Sequence, residues 1–165
     1  MTAPNRLQRT LAKLDGLPGP LRRVARNLAL RRAVPLTGTA GLDFVELSTE
    51  QAVVQISNRR KVQNHIGGVH AAAMALVAES ATGMVVGMNV RDDCLTLCKT
   101  LKVRFRKRAT GALTAVATLE PEQRQLMHET DKGEVIVAVQ VTDEAGEQPI
   151  ECEFVWAWVP KKPQA

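Results

Sequence analysis

NHIGGVHAAAMALVAESATGMVVGMN, running from Asn64 to Asn89, is the stretch on which the reading of this chain turns. It opens as a polar loop containing Asn64, His65, Gly67, Gly68 and His70, then becomes a run of Ala, Val, Met, Leu and Gly. A helix that is apolar on every side is one surrounded by protein, so the remaining chain must supply strands that wrap it. One carboxylate, Glu79, stands in the middle of the run, where it is costly unless something uses it.

A helix opening near His70 leaves its first N–H groups without intrahelical partners and carries the positive end of the macrodipole there. Such a helix start can hold an oxyanion. Glu79 lies eight positions beyond Ala71, about 12 Å along the axis. A carbonyl held at the helix start is therefore out of reach of the same chain's Glu79. For both groups to act on one substrate, two copies of the helix must lie antiparallel, each offering its start to the other's glutamate. The chemistry requires a homodimer.

The chain of 165 residues is long enough for one domain with a core of its own. Its formal charge is +5, and Lys and Arg cluster at Arg22 to Arg32 and Lys99 to Arg108. Such clusters suit nucleic acid, anionic lipid or a phosphorylated small molecule. With no Tyr, two Trp and three Phe, the aromatic platform of single-strand and RNA binders is absent, so no nucleic-acid partner is expected. The three cysteines, Cys94, Cys98 and Cys152, lack metal-ligand spacing, and a reducing, cytoplasmic setting is the expectation. No secretory pattern begins the chain, because Arg and Lys interrupt its apolar residues. Residues 71–88 approach the length of a membrane span, but their Ala and Gly content and central Glu79 fit a buried helix of a soluble protein.

Along the chain, residues 4–34 read as two helical pieces broken at Gly16, Pro18, Gly19 and Pro20. The first sets Leu7, Leu11 and Leu14 on one side, and the second sets Leu21, Val24 and Leu28 among arginines. These helices are expected to pack on the domain surface; the alternative is a basic amphipathic contact with an anionic membrane. Residues 1–35 thus form an N-terminal helical extension, 36–160 the main domain and 161–165 a tail. From Gly41 the period shifts to two, with strands over 41–48 and 52–59. After the buried helix, residues 94–108 form the clearest strand, with Leu101, Val103 and Phe105 facing inward and Lys102, Arg104 and Arg106 outward. Further strands follow at 111–119, 133–142 and 148–159, with a short helix after Pro121 and a hairpin turn at Asp143 to Gly146. Two strands, a long helix and four strands are not a βαβ alternation, so the fold class is α+β, an antiparallel β-sheet wrapped around a long central helix.

The pattern Asn64, Gly67, His70, two small residues and Glu79 resembles the hotdog-fold acyl-CoA thioesterases of the phenylacetate-degradation (PaaI-like) kind. In that family an Asn precedes a His-Gly-Gly at the start of the central helix and an acid follows on it. The spacings agree, six positions from Asn64 to His70 and fifteen from Asn64 to Glu79. The stretch KTLKVRFRKRATG, from Lys99 to Gly111, is similar to the strand after the helix in these proteins, notably in the thioesterase-like branch grouped as DUF4442. The resemblance spans about residues 36–160 and leaves the N-terminal helices outside.

The resemblance implies a hotdog fold, thioesterase activity on acyl-CoA and a site at the interface of a homodimer, or of a dimer of such dimers forming a homotetramer. By that likeness Glu79 activates water or attacks directly, Asn64 orients the reacting atoms, His70 positions the thioester and the N–H of Ala71 receives its oxygen. Gly67 and Gly68 shape the loop or touch substrate. Lys102, Arg104 and Arg106 either grip the phosphates of coenzyme A or form a solvated strand face. Thr96 or Cys98 takes the place where many relatives carry a Ser or Thr near the catalytic water. Thiolate leaves readily, so neither a metal nor a cofactor beyond the substrate's own coenzyme A is expected. Ala71-Ala72 stands where the family has Gly-Gly, and the methyl narrows the approach to the helix start. A non-catalytic acyl- or CoA-binding hotdog is therefore the first alternative. A 3-hydroxyacyl thioester dehydratase ranks below it, because the proline-bearing loop of those enzymes is missing.

Overall fold

The computed structural model describes residues 3–162. Residues 1–2 of the expected extension and 163–165 of the expected tail lie outside the described residues. Three helices open the chain, α1 (Arg6–Ala12), α2 (Gly19–Ala33) and α3 (Pro35–Ala40). β1 (Asp43–Leu47) and β2 (Gln51–Ile56) lead through the glycine-bearing loop to α4 (Ala71–Gly87). β3 (Cys94–Phe105), β4 (Leu113–Thr118), α5 (Pro121–Glu129), β5 (Gly133–Asp143) and β6 (Ile150–Pro160) complete it. The strands form a single antiparallel sheet in the order β1-β2-β4-β5-β6-β3, curled round α4.

Alternation makes this wrapping possible. β2 and β4 bury every second residue, and those of β4 (Leu113, Ala115, Ala117) include two alanines that let the helix lie close. Against them α4 buries Met74, Val77, Ala78, Ala81, Val85 and Val86. Two bulky rings of β6 find room only because glycine faces them: a Cβ on Gly83 would come within 2.8 Å of the Trp156 ring, and one on Gly133 within 2.4 Å of Trp158.

The N-terminal extension clasps the end of α4. Asn5 caps α1, its Oδ1 accepting from Gln8 N at 2.9 Å, and its Nδ2 donates to the carbonyls of Gly87 at 2.9 Å and Val90 at 2.8 Å. Gln8 Nε2 donates to Met88 O at 2.8 Å. Carbonyls that a helix end leaves orphaned are thus met from another helix.

Three points refine the sequence reading. α2 packs on the domain through Asn27 and Leu30, while Leu21, Val24 and Leu28 stay exposed among its arginines. A third short helix, α3, crosses the expected boundary between residues 35 and 36, because Pro35 is suited to open a helix. In β3, Leu101, Val103 and Phe105 do face the helix side, opposite Phe154, Cys152 and Ile150. As β3 is the sheet's last strand, however, Leu101 and Phe105 remain 48% and 54% exposed. A bulge between Cys98 and Thr100 shifts the register, so that Cys98 and Leu101 share the inner face although three positions apart.

Candidate functional site

The loop before α4 is built around Asn64. Its Oδ1 accepts from the N–H groups of Ile66 and Gly68, both at 3.1 Å, and its carbonyl accepts from Gly67 N at 3.1 Å. Gly67 turns the chain at φ 78°, a conformation glycine adopts without strain. Asn58 Nδ2 donates to Gly67 O at 3.1 Å, and Arg108 donates to Ile66 O at 3.0 Å, which ties the loop to the end of β3. Asn64 therefore organises the loop, and its Nδ2 makes no hydrogen bond within the described chain. Gly68 is buried while Gly67 is exposed.

His70 is the N-cap of α4, with extended backbone at φ −64° and ψ 143°. Its Nδ1 accepts from Ala72 N at 3.0 Å, which leaves Nε2 to carry the proton. Ala73 and Met74 donate to the His70 carbonyl. The N–H of Ala71 alone in this first turn has no acceptor in the described chain, and Ala71 is exposed. This free donor at a positive helix end is suited to an incoming carbonyl oxygen.

Glu79 is partly buried on the face of α4 that the sheet leaves open. Burial pushes its carboxyl above the ordinary range, and the Ser80 hydroxyl, donating to Oε2 at 3.4 Å, offsets this in part. It borders a cavity of about 650 Å³ between α3, α4 and β3. Val34, Leu36, Val62, Leu76 and Leu101 give this cavity apolar walls, and Ala72, Ala75 and Glu79 follow one another along its floor at helical spacing. His70 and Lys61 also line it. A half-buried carboxylate with raised proton affinity, beside an apolar groove, can take a proton from water.

The remaining candidates divide. Cys98 is close enough to Glu79 for the carboxylate charge to add to burial in raising its thiol. Thr96, on the same strand face, borders a different cavity with Gly87, Arg91 and α1. Lys102, Arg104 and Arg106 lie on the outer face of the sheet, away from Glu79, with Lys102 bonded to Glu153 at 2.6 Å and Arg106 to Glu151. Arg104 forms no ion pair among the described residues. The cation that does reach the cavity, Lys61, and the apolar walls from α3 carried no sequence signal, since neither periodicity nor a motif marks them. No group of three His, Cys, Asp or Glu among the described residues is placed to hold a metal ion. No helix among them is long and apolar enough to cross a membrane.

An antiparallel sheet closed round one helix, with a glycine-bearing loop at the helix start and a single acid on its open face, defines a hotdog fold of the thioesterase-like class. The chain belongs to the family described as Domain of unknown function (DUF4442), whose profile matches residues 23–159. Among solved structures it is similar to a Pseudomonas aeruginosa protein of unknown function described as a probable thioesterase, at 25% identity and TM-score 0.74 over 88% of this chain and 97% of that one. A thioesterase of Staphylococcus aureus (15% identity, TM-score 0.66, 76% of this chain and 99% of that one) shares the fold. So does a thioesterase family protein of Silicibacter pomeroyi (14%, 0.66, 84% and 99%). No curated protein matches the chain.

Proposed function

We propose that the protein hydrolyses acyl-CoA-type thioesters at a site shared by two copies of the chain. The observation that carries this reading is the pairing of a free Ala71 N–H at the start of α4 with a proton-avid Glu79 two turns along the same helix, beside an apolar groove. The thioester oxygen accepts from Ala71 N–H of one protomer. Glu79 of the other takes a proton from water, whose oxygen attacks the carbonyl carbon. The tetrahedral oxyanion then collapses, the C–S bond breaks, and the departing thiolate takes up the proton held by Glu79. Products are the free acid and the thiol.

Two surfaces support assembly. β3 is a 12-residue edge strand whose outer backbone groups face no neighbour in the described chain, and such edges invite pairing. Exposed Leu95, Leu97, Ile136 and Val159 on the convex face suit a second contact between dimers.

Complementation between two inactive variants tests the shared site. Ala71→Pro deletes the N–H while preserving the helix, because Pro is favoured at the first helical position and His70 already holds the extended conformation that precedes proline. Each of Ala71→Pro and Glu79→Ala is expected to be inactive. Refolded as a mixture, they should recover about a quarter of wild-type thiol release, because about half the dimers are mixed and each holds one intact site of two. No recovery means that the site does not cross the interface. No thiol release by the wild-type chain above the Glu79→Ala control leaves a non-catalytic acyl binder.

A further inference from the structure

The chain's charge is divided unevenly. Residues 1–36 hold eight Lys and Arg against one acid, a net +7, whereas residues 37–165 hold fourteen against sixteen, a net −2. Among the described residues the same segment holds six of the fourteen exposed large apolar side chains, Leu17, Leu21, Val24, Leu28, Val34 and Leu36. Charge and exposed hydrophobicity thus coincide in one stretch.

α2 is turned inside out relative to an ordinary surface helix. Its inward face, Leu30 apart, is polar and covers the outer edge of β1. Asn27 Oδ1 accepts from Phe44 N at 2.8 Å, Arg26 donates to Val45 O at 2.5 Å, and Arg31 donates to Leu42 O at 2.7 Å. This occupies the backbone groups of an edge strand, a protective arrangement. The outward face carries Leu21, Val24 and Leu28, at 58%, 65% and 69% exposure. These positions share one stripe of the helix, and exposed Arg32 follows four residues after Leu28 on the same side. The helix contains five arginines and no acid. Among the described residues only Arg22 and Arg23 of these meet carboxylates, Asp15 at 3.6 Å and Asp43 at 2.5 Å. Arg26 and Arg31 bond neutral carbonyls and form no direct ion pair among the described residues, Asp43 and Glu46 reaching Arg26 only through space. Burial first, and then the charges of Arg22 and Arg23, hold the Arg26 guanidinium below its ordinary range.

We infer that the outer face of α2 is a docking surface for an anionic phospholipid bilayer. An apolar stripe with a cation at its end is what an interfacial helix presents to lipid, the leucines entering the acyl boundary and exposed Arg32, which pairs with no carboxylate among the described residues, meeting phosphate. α3 continues from α2, and its Leu36, with Val34 at the junction, walls the Glu79 cavity. The docked face therefore leads to the cavity that an amphiphilic thioester would enter. The inference does not depend on hydrolysis, and it stands if the chain only binds acyl groups.

The test is co-sedimentation of the full chain with vesicles of phosphatidylcholine alone and of phosphatidylcholine mixed with phosphatidylglycerol. Binding is expected on the mixed vesicles at low salt and about tenfold weaker on neutral ones. Replacing Leu21, Val24 and Leu28 together by Ser, all at exposed positions, should lower binding to mixed vesicles at least about tenfold. Arg32→Glu should weaken it while leaving the circular dichroism melt unchanged. Equal binding by the triple variant would assign the interaction to charge alone and overturn the proposal. So would absence of wild-type binding, or equal binding to both vesicle types. Should the triple variant instead turn a dimer into a monomer in sedimentation velocity, with no vesicle binding by either form, the face belongs to a second copy of the chain.

Discussion

The indole N–H of Trp156 donates to Thr82 Oγ1 at 2.9 Å, and the ring of Trp156 lies over Gly83, one turn beyond Glu79. A side chain of β6 is thereby locked to α4 one turn beyond the acid. Cys98, opposite Trp156 in the sheet, comes next to it. The turn of α4 that follows Glu79 is thus held against a fixed indole of β6.

Gly83→Ala should be among the costliest single-methyl additions in the protein. Its Cβ would meet two atoms of the indole at 2.8 and 2.9 Å, and the ring cannot retreat without losing its bond to Thr82. Overpacking of this kind costs about 1–3 kcal/mol, and urea denaturation followed by tryptophan fluorescence reads it. An unchanged midpoint would show that the ring has another place to go.

Glu79→Gln should reduce thioester hydrolysis by about 10²- to 10⁴-fold, the usual worth of a positioned base, measured as thiol release from acyl-CoA. Its effect on stability has the opposite sign. Burial raises the Glu79 carboxyl in the folded chain above its unfolded value. The carboxyl therefore favours folding most below the unfolded value, and that contribution is lost as pH rises through the folded one. The variant should melt above wild type at neutral pH, and the gap should close as pH falls below the ordinary carboxyl range. Parallel melting curves at every pH would contradict the burial.

Asn5→Ala should cost about 1–3 kcal/mol, because the carbonyl of Val90 loses a buried donor and that of Gly87 a partly buried one. Asn5→Asp is the sharper probe: it retains the helix cap but sets a carboxylate against those two carbonyls, and it should be worse than alanine. Thermal melts of the pair separate the clasp from the cap.

Arg104→Ala should leave KM and kcat for acyl-CoA unchanged, because Arg104 lies on the outer face of the sheet, opposite Glu151 and away from Glu79. Lys102→Ala and Arg106→Ala should do the same, since Glu153 and Glu151 already engage those side chains. A rise in KM of about tenfold for any of the three would place the coenzyme A phosphates on that face.

Much of the domain was legible because its elements differ in period. The all-apolar run at 71–87 and the alternation of β2 and β4 each admit one geometry, and their order excludes a parallel sheet. Less legible were features that depend on what lies opposite. Leu21, Val24 and Leu28 have helical spacing whether they face protein or solvent, and only the polar contacts of Asn27, Arg26 and Arg31 to β1 decide which. Leu101 and Phe105 alternate correctly, yet their exposure follows from β3 standing at the sheet's edge, which sequence order does not reveal. The Thr96 and Cys98 choice turned on distance along the strand: Cys98 is beside Glu79, whereas Thr96 borders another cavity. The walls from α3 and the Lys61 cation become neighbours of Glu79 only once the chain has closed.

The bond from Asn5 to Gly87 spans 82 positions. During synthesis the first helix leaves the ribosome long before its acceptor exists, and α1, at seven residues, is too short to hold shape alone. Its bonds to Gly87, Met88 and Val90 require the end of the glutamate-bearing helix. The clasp of α1 therefore cannot close before α4 has been made.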